Sequence, residues 1–140
     1  MPDALRRLTE SGYIFKPGEV TEWLDCGNKE VTVHTNQRVL EFDFDRQIPM
    51  VAESAQIIDS VIIPPCFIGD DVKIENSVVG PHVSLGNGTK VQSSILVNSI
   101  VQDHTTIEHA NLKNSMIGSH AAYKNTAKDL SLGDYSVIKD

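Results

Sequence analysis

Aliphatic residues recur at steps of five or six along the C-terminal half of the chain, and this repeat constrains the fold most strongly. Two positions before each of them lies a small or compact residue, such as Ser60, Thr89 or Ala110. Because residues i and i−2 of an extended strand point to the same side, each repeat predicts a short strand with two inward side chains. The aliphatic series is Ile57, Ile62, Ile68, Ile74, Val79, Leu85, Val91, Leu96, Val101, Ile107, Leu112 and Ile117, ending at Tyr123.

The steps of this series are ordered. Grouped in threes, they give turns of 17, 17, 16 and 16 residues. A chain with this order coils as a three-sided prism, with three short strands in each turn, or rung. The predicted first wall stacks Ile57, Ile74, Val91, Ile107 and Tyr123; the second stacks Ile62, Val79, Leu96 and Leu112; the third stacks Ile68, Leu85, Val101 and Ile117.

The units "IGDDVK", "VGPHVS", "LGNGTK" and "IGSHAA" resemble the hexapeptide repeat of left-handed parallel β-helices, over about residues 55–123. The resemblance implies an all-β fold with a left-handed coil, against the usual right-handed crossover. We expect this β-helix to occupy residues 55–140, with "LSLGDYSVI" (130–138) as a strand pair that caps the prism. Cys66 fills one small inward position, where it is expected to be a buried compact hydrophobe.

The residue before each inward aliphatic is expected to point outward, and on two walls these outward residues are mostly apolar. A monomer rarely leaves such stripes bare. We therefore predict a homotrimer, which is also typical of the hexapeptide-repeat proteins that the chain resembles. The alternative is that flanking segments of the same chain cover the stripes. The predicted contact residues are Val61, Val78 and Ile95 on the second wall and Phe67, Ile100 and Met116 on the third.

Residues 1–42 precede the prism, and residues 43–54 are predicted to be a linker. Residues 3–12 favour a short helix with Asp3 as its cap and Gly12 at its end. Residues 13–15 and 20–24 favour a strand pair around a turn. The stretch that follows is ambiguous, since Asn28 would cap a helix whereas Val31-Thr32-Val33 favours a strand.

Residues 22–40, "EWLDCGNKEVTVHTNQRVL", resemble the segment that closes the catalytic domain of sugar-1-phosphate nucleotidylyltransferases. That family has a W-x-D-x-G motif, then a helix and an Asn-containing stretch, and its long members append a left-handed β-helix. The matching residues are Trp23, Asp25, Gly27, Asn36 and Leu40. The resemblance implies nucleotide-sugar biosynthesis, with Asp25 as a ligand of the catalytic Mg²⁺ that neutralises phosphate charge.

The other half of that catalytic site does not occur in the 140 residues. The family's Gly-rich signature "GGxGTRLxPxT", which cradles the triphosphate, is absent, as is its "PKP"-like element. We therefore expect the chain to be the C-terminal part of a longer nucleotidylyltransferase. Residues 1–42 would end its catalytic domain, and neither activity nor a bound cofactor is expected from this chain alone.

The histidines suggest an alternative, because many hexapeptide-repeat proteins are acyltransferases with a histidine base at the cleft between subunits. The candidates here are His82, His104 and His120. His104 and His120 are 16 residues apart, so they are predicted to stack on adjacent rungs, about 5 Å apart. Such a column could bind an anion or a metal, supply a base, or be a solvated corner. The repeat has no long inserted loop of the acyltransferase kind, and a purely structural assembly module is a third alternative.

Composition excludes several other classes. The net charge is −7 and there is no basic run, which disfavours binding to nucleic acid or to an anionic membrane. No apolar run approaches the roughly 18 residues needed to span a bilayer. Two cysteines without a C-x-x-C spacing disfavour a disulfide framework or a zinc site, so a cytoplasmic location is expected.

Overall fold

The computed structural model describes residues 2–126, 131 and 134–137. Two helices, α1 (Pro2–Glu10) and α2 (Lys29–Asp45), precede a series of strands that are each two or three residues long. The strands are β1 (Gln56–Ile58), β2 (Val61–Ile62), β3 (Cys66–Ile68), β4 (Lys73–Glu75), β5 (Val78–Val79), β6 (Val83–Leu85), β7 (Lys90–Gln92), β8 (Ile95–Val97), β9 (Ser99–Val101), β10 (Thr106–Glu108), β11 (Asn111–Lys113), β12 (Met116–Ile117) and β13 (Ala122–Lys124).

The strands form three parallel sheets, in the orders β1-β4-β7-β10-β13, β2-β5-β8-β11 and β3-β6-β9-β12. Every third strand along the chain therefore belongs to the same sheet, which is the arrangement of a left-handed parallel β-helix. The register confirms all three predicted walls. Ile57 pairs with Ile74 on the first wall, Val79 pairs with Leu96 on the second, and Leu85 pairs with Val101 on the third.

The core is the interior of the prism. Its largest fully buried side chains are Ile68, Ile74, Leu85, Leu96 and Ile107, all of them inward aliphatics of the repeat. Ile57 and Tyr123 are the exposed members of the series, because they lie on the terminal rungs with a neighbour on one side only. Cys66 is buried as expected, and burial raises the pKa of its thiol.

The small inward positions contribute hydrogen bonds as well as space. Ser60, Ser77 and Ser94 lie one above another, and each hydroxyl accepts a hydrogen bond from the backbone N–H one rung further along the prism. The three donor-to-acceptor distances, from the amides of Ser77, Ser94 and Ala110, are each 3.0 Å. Each hydroxyl also donates to the carbonyl two residues earlier. This ladder satisfies backbone groups at a corner where the sheets cannot.

Residues at the corners of the prism adopt positive φ angles. His82, His104, His109 and His120 have φ values of 62°, 55°, 54° and 57°. Asn, Asp and His occupy this left-handed region more readily than other non-glycine residues. Four of the five histidines of the chain therefore have a backbone reason for their position, whatever else they do.

The N-terminal segment differs in part from its prediction. Helix α1 is confirmed, although it begins at Pro2, so Asp3 lies in its first turn rather than at its cap. The ambiguous stretch forms helix α2, which begins at Lys29: the Asn28 side chain caps it by accepting from the Val31 N–H, and α2 extends into the predicted linker. The strand pair at 13–15 and 20–24 is wrong, because neither stretch forms a strand. Of the predicted capping strands at 130–138, residues 130, 132, 133 and 138 lie outside the described residues, and residues 131 and 134–137 form no strand.

Helix α2 packs against β9, so it covers the middle of the third wall. Val33 and Leu40 of this helix are buried, and the Asn36 side chain accepts a hydrogen bond of 2.6 Å from the Ser84 hydroxyl. A flanking segment therefore covers part of one of the two apolar walls, as the alternative to subunit contacts anticipated. Neither α1 nor α2, in the part of the chain that the structure describes, could cross a membrane.

Candidate functional site

Asp25 lies in an exposed loop, residues 21–28, that joins the irregular N-terminal stretch to α2. Its carboxylate accepts a hydrogen bond of 2.7 Å from the N–H of Cys26, and its backbone carbonyl accepts one of 2.5 Å from the Thr35 hydroxyl. Gly27 lies so close to the Asp25 side chain that a Cβ at Gly27 would lie 3.3 Å from the second carboxylate oxygen of Asp25. The loop is thus folded back onto the first half of α2.

Asp25 does not make a magnesium site on its own. Mg²⁺ requires near-octahedral coordination by oxygen, usually from carboxylates together with substrate phosphates and water. The described residues contain no group of three or more His, Cys, Asp or Glu side chains placed to hold a metal ion. The residues present therefore supply one carboxylate and do not fit a complete magnesium site.

A series of contacts between ionisable side chains connects the same loop to the prism. Arg38, on α2, binds both carboxylate oxygens of Glu22 at 2.9 and 3.2 Å, and it also binds Glu41 on its own helix. Glu41 accepts a further hydrogen bond of 3.0 Å from Gln37, and its Oε1 lies 3.2 Å from Nε2 of His82 on the prism. The order Glu22–Arg38–Glu41–His82 thus spans the loop, the helix and a corner of the β-helix.

The charges in this series reinforce one another. The hydrogen bond that Glu22 accepts from Arg38 lowers the pKa of Glu22. Hydrogen bonds from Gln37 and then Arg38 lower the pKa of Glu41, against an opposing effect of desolvation. The two glutamates raise the pKa of the Arg38 guanidinium, which also lies 4.8 Å from the ring centre of Phe42. At neutral pH these contacts favour ionised carboxylates at Glu22 and Glu41 and a protonated guanidinium at Arg38.

We expect acid to release the loop from α2. A carboxylate whose pKa is lowered on folding stabilises the folded contact above its ordinary pKa, and that contribution is lost as the pH falls through the lowered pKa. For Glu22 and Glu41 this loss begins below their ordinary value of 4.5. The fluorescence anisotropy of Trp23, the single tryptophan, should therefore fall in this range. In Glu22→Gln the anisotropy should already be low at neutral pH, and an identical acid transition in that variant would contradict the assignment.

The three candidate histidines for acyl transfer do not lie together. His104 and His120 form the predicted column, with ring centres 5.2 Å apart and ring planes 20° from parallel. They are exposed at the corner between the third and first walls. A Cβ at Gly88, one rung below His104, would collide with the His104 ring. His82 lies at the corner between the second and third walls, where it contacts Glu41.

Comparisons with protein-family models, with curated proteins and with solved structures found no match for this chain. The β-helix fold itself is that of hexapeptide-repeat proteins in general.

The sequence did not point to Glu22, Arg38 or Glu41. Gln37, Arg38 and Glu41 have the i, i+3 and i, i+4 spacing of helical neighbours, a signal that is useful only once residues 29–45 are known to be a helix. The contacts of Arg38 with Glu22 and of Glu41 with His82 depend on where α2 docks, which no local pattern specifies.

Proposed function

We propose that this chain is the C-terminal portion of a sugar-1-phosphate nucleotidylyltransferase, in which the β-helix assembles the enzyme and residues 1–42 complete the catalytic domain. The observation that supports this most is α2. The family's W-x-D-x-G motif is followed by a helix, and here Trp23, Asp25 and Gly27 are followed by a helix that contains Asn36 and Leu40. The appended β-helix has the position that the family's long members give it.

Exposed apolar side chains in the N-terminal segment also support the proposal. Ile14 is 86% exposed and Trp23 is 84% exposed, and Tyr13, Phe15 and Val20 are exposed as well. Five large apolar side chains within eleven residues form a surface that proteins usually cover. Further catalytic-domain residues packed on this segment would bury them.

In the proposed reaction, a phosphate oxygen of the sugar phosphate attacks the α-phosphorus of a nucleoside triphosphate. The bond from that phosphorus to the bridging oxygen breaks, and pyrophosphate leaves. Binding the triphosphate requires a cradle of backbone N–H groups or cations. Asp25 is an anion that would repel phosphate unless a cation lay between them. This chain therefore needs partner residues from the rest of the enzyme before it can act.

The experiment compares two samples in one assay. The isolated 140 residues, and the native polypeptide captured from its source cells with an antibody against the prism, are each given nucleoside triphosphates and sugar 1-phosphates. Pyrophosphate release and nucleotide-sugar formation are measured. The captured polypeptide should form a nucleotide sugar and the isolated chain should not. Formation by the isolated chain, or by neither sample, would contradict the proposal.

We further propose that the β-helix is a homotrimer whose main contact is the second wall. Val61 is 57% exposed and Ile95 is 45% exposed on that wall, with Val78 between them. These three side chains form a continuous apolar stripe, because their strands are paired neighbours. On the third wall, α2 lies over the middle, and Phe67 and Met116 remain exposed at either end. Those two residues would extend the contact rather than form its centre.

The His104–His120 pair favours acyl transfer as the second candidate. Two exposed imidazoles 5.2 Å apart offer a base and a second group to hold a substrate. Acyl-CoA turnover that is lost in His104→Ala or His82→Ala, and retained in His109→Ala, would favour this function over nucleotidyl transfer. If neither the isolated chain nor the captured polypeptide shows turnover of either kind, a purely structural assembly module is the remaining candidate function.

A further inference from the structure

Helix α2 contacts the loop through some residues and the prism through others. Thr35 and Arg38, one turn apart, hold the loop through the Asp25 carbonyl and the Glu22 carboxylate. Three other residues of the helix reach the prism. They are Lys29, which donates to the carbonyl of Asn114 at 3.3 Å, Asn36, which contacts Ser84, and Glu41, which contacts His82. The helix is therefore a short link between the loop that contains Asp25 and the β-helix.

The loop end of this link is geometrically specific. Arg38 binds Glu22 with two separate nitrogens, and its planar guanidinium fixes both the distance and the orientation of that carboxylate. Glu41 receives hydrogen bonds from Gln37 and Arg38, so its carboxylate has little freedom to rotate. The Glu41 oxygen that accepts from Gln37 also lies 3.2 Å from Nε2 of His82. A substitution at His82 should therefore alter the positions of the Arg38 side chain and of the loop.

Two polar atoms at the prism end of the link make no hydrogen bond to any described residue. Among the described residues, Nδ2 of Asn36 and Oδ1 of Asn98 are buried side-chain atoms without a hydrogen-bond partner. Asn98 lies one rung from His82 at the same corner, and Asn36 belongs to α2. An unpaired buried polar atom weakens packing rather than strengthening it. The Glu41–His82 contact joins the C-terminal half of α2 to the prism, whereas Lys29 and Asn36 contact the prism from its N-terminal half.

The backbone angle favours histidine at position 82 but does not select it over asparagine. The equivalent corner positions on the next two rungs are Asn98 and Asn114, with φ values of 44° and 52°, close to the 62° of His82. Asparagine would satisfy this conformation equally well. The imidazole is longer than the asparagine amide, and this length lets Nε2 reach Glu41. The contact with Glu41 therefore distinguishes His82 from the asparagines at the equivalent positions.

We propose that His82 is a positioning residue, which acts through Glu41 and Arg38 to hold the loop of Asp25 at a fixed place relative to the β-helix. The β-helix then fixes the position of this loop in addition to assembling the enzyme. The catalytic meaning of this role rests on the proposed function. The coupling between position 82 and the loop does not, and it can be measured without any substrate.

The test uses the full 140-residue chain and the time-resolved fluorescence anisotropy of Trp23, which lies next to Glu22 in the loop. His82→Asn keeps a residue suited to positive φ and removes the imidazole. His109→Asn is the matched control, because His109 has the same backbone conformation at a different corner. We expect the amplitude of fast segmental motion of Trp23 to rise about twofold in His82→Asn and to stay unchanged in His109→Asn. No rise in His82→Asn, or an equal rise in both variants, would overturn the proposal.

A second pair of variants tests the route. Glu41→Gln alone should raise the same amplitude at least as much as His82→Asn, because it weakens the contacts with Arg38 and His82 together. In the double variant, His82→Asn should add nothing, since residues that act in one chain are not additive. Additive effects would show that position 82 reaches the loop by another route and would contradict the proposal. The two proposals can fail separately. The coupling can hold in a chain without nucleotidyl transfer, and nucleotidyl transfer can occur in a chain without the coupling.

Discussion

Replacing Ile95 with lysine should convert the assembled protein into monomers while leaving the prism folded. Ile95 lies at one end of the apolar stripe of the second wall, next to Val78 on the neighbouring strand. A lysine there would bring three like charges together around a trimer axis and would bury them without partners. The side chain points outward, so the inward core residue Leu96 is not disturbed. We expect self-association to weaken by at least about a hundredfold.

Sedimentation velocity at micromolar concentration measures this effect, with circular dichroism as the check on folding. Ala122→Lys is the matched control, because Ala122 is an exposed outward position on the first wall, which we expect to face solvent. The control should sediment as the trimer. A wild-type protein that is already a monomer at this concentration would contradict the trimer, and a trimeric Ile95→Lys variant would exclude the second wall as its interface.

Replacing Gly80 with alanine should destabilise the prism more than most single substitutions. Gly80 is buried with a φ of 114°, where a side chain is strained regardless of the space around it. The added Cβ would also collide with the carbonyl oxygen of Ile63 and lie 2.8 Å from the Cys66 sulfur. The first of these neighbours is backbone on the adjacent rung, so a whole corner must shift. We expect a loss of about 3 kcal/mol or more in the free energy of unfolding.

Urea denaturation at one fixed protein concentration measures this loss, because assembly adds to the apparent stability of an oligomer. Gly18→Ala is the control. Nothing lies within 4 Å of a Cβ at Gly18, and its φ is not positive, so its effect should stay within about 0.5 kcal/mol. Equal stabilities for the two variants would mean that the corner at Gly80 is not packed as described.

The prism was predictable because its periodicity is local and repeated. Each step of five or six residues fixes one strand and one turn, so the pairing of Ile57 with Ile74, and of every later pair, follows from the sequence alone. The His104–His120 column follows from the same rung spacing and is confirmed. Repetition also limits errors, since a slip at one strand would place polar residues inside the rungs that follow.

The N-terminal segment lacks this redundancy. The β-branched residues Val31, Thr32 and Val33 favour a strand, whereas burial of Val33 and Leu40 in a helix capped by Asn28 decides the outcome. The predicted strand pair at 13–15 and 20–24 fails because two strands without a sheet or a partner helix are only marginally stable. Tertiary packing decides both cases, and a short sequence window does not contain it.

The candidate site was predictable in part. Asp25 came from a motif, and its surroundings came only from the structure. The Ser84–Asn36 and Glu41–His82 contacts join residues 48 and 41 positions apart, so they depend on the docking of a whole helix. Sequence spacing predicts neighbours within an element or between rungs of one repeat. It does not predict which corner of the prism a flanking helix will occupy.

The most direct test of the central proposal is the length of the native polypeptide that contains these residues. An immunoblot of the source cells with an antibody against the prism gives its size, and mass spectrometry of the captured band gives its peptides. The proposal predicts a band well above twice 15.4 kDa, with peptides from a Gly-rich "GGxGTRL"-like segment. A single band at 15.4 kDa would contradict it, and the His104–His120 corner would then become the first place to look for activity.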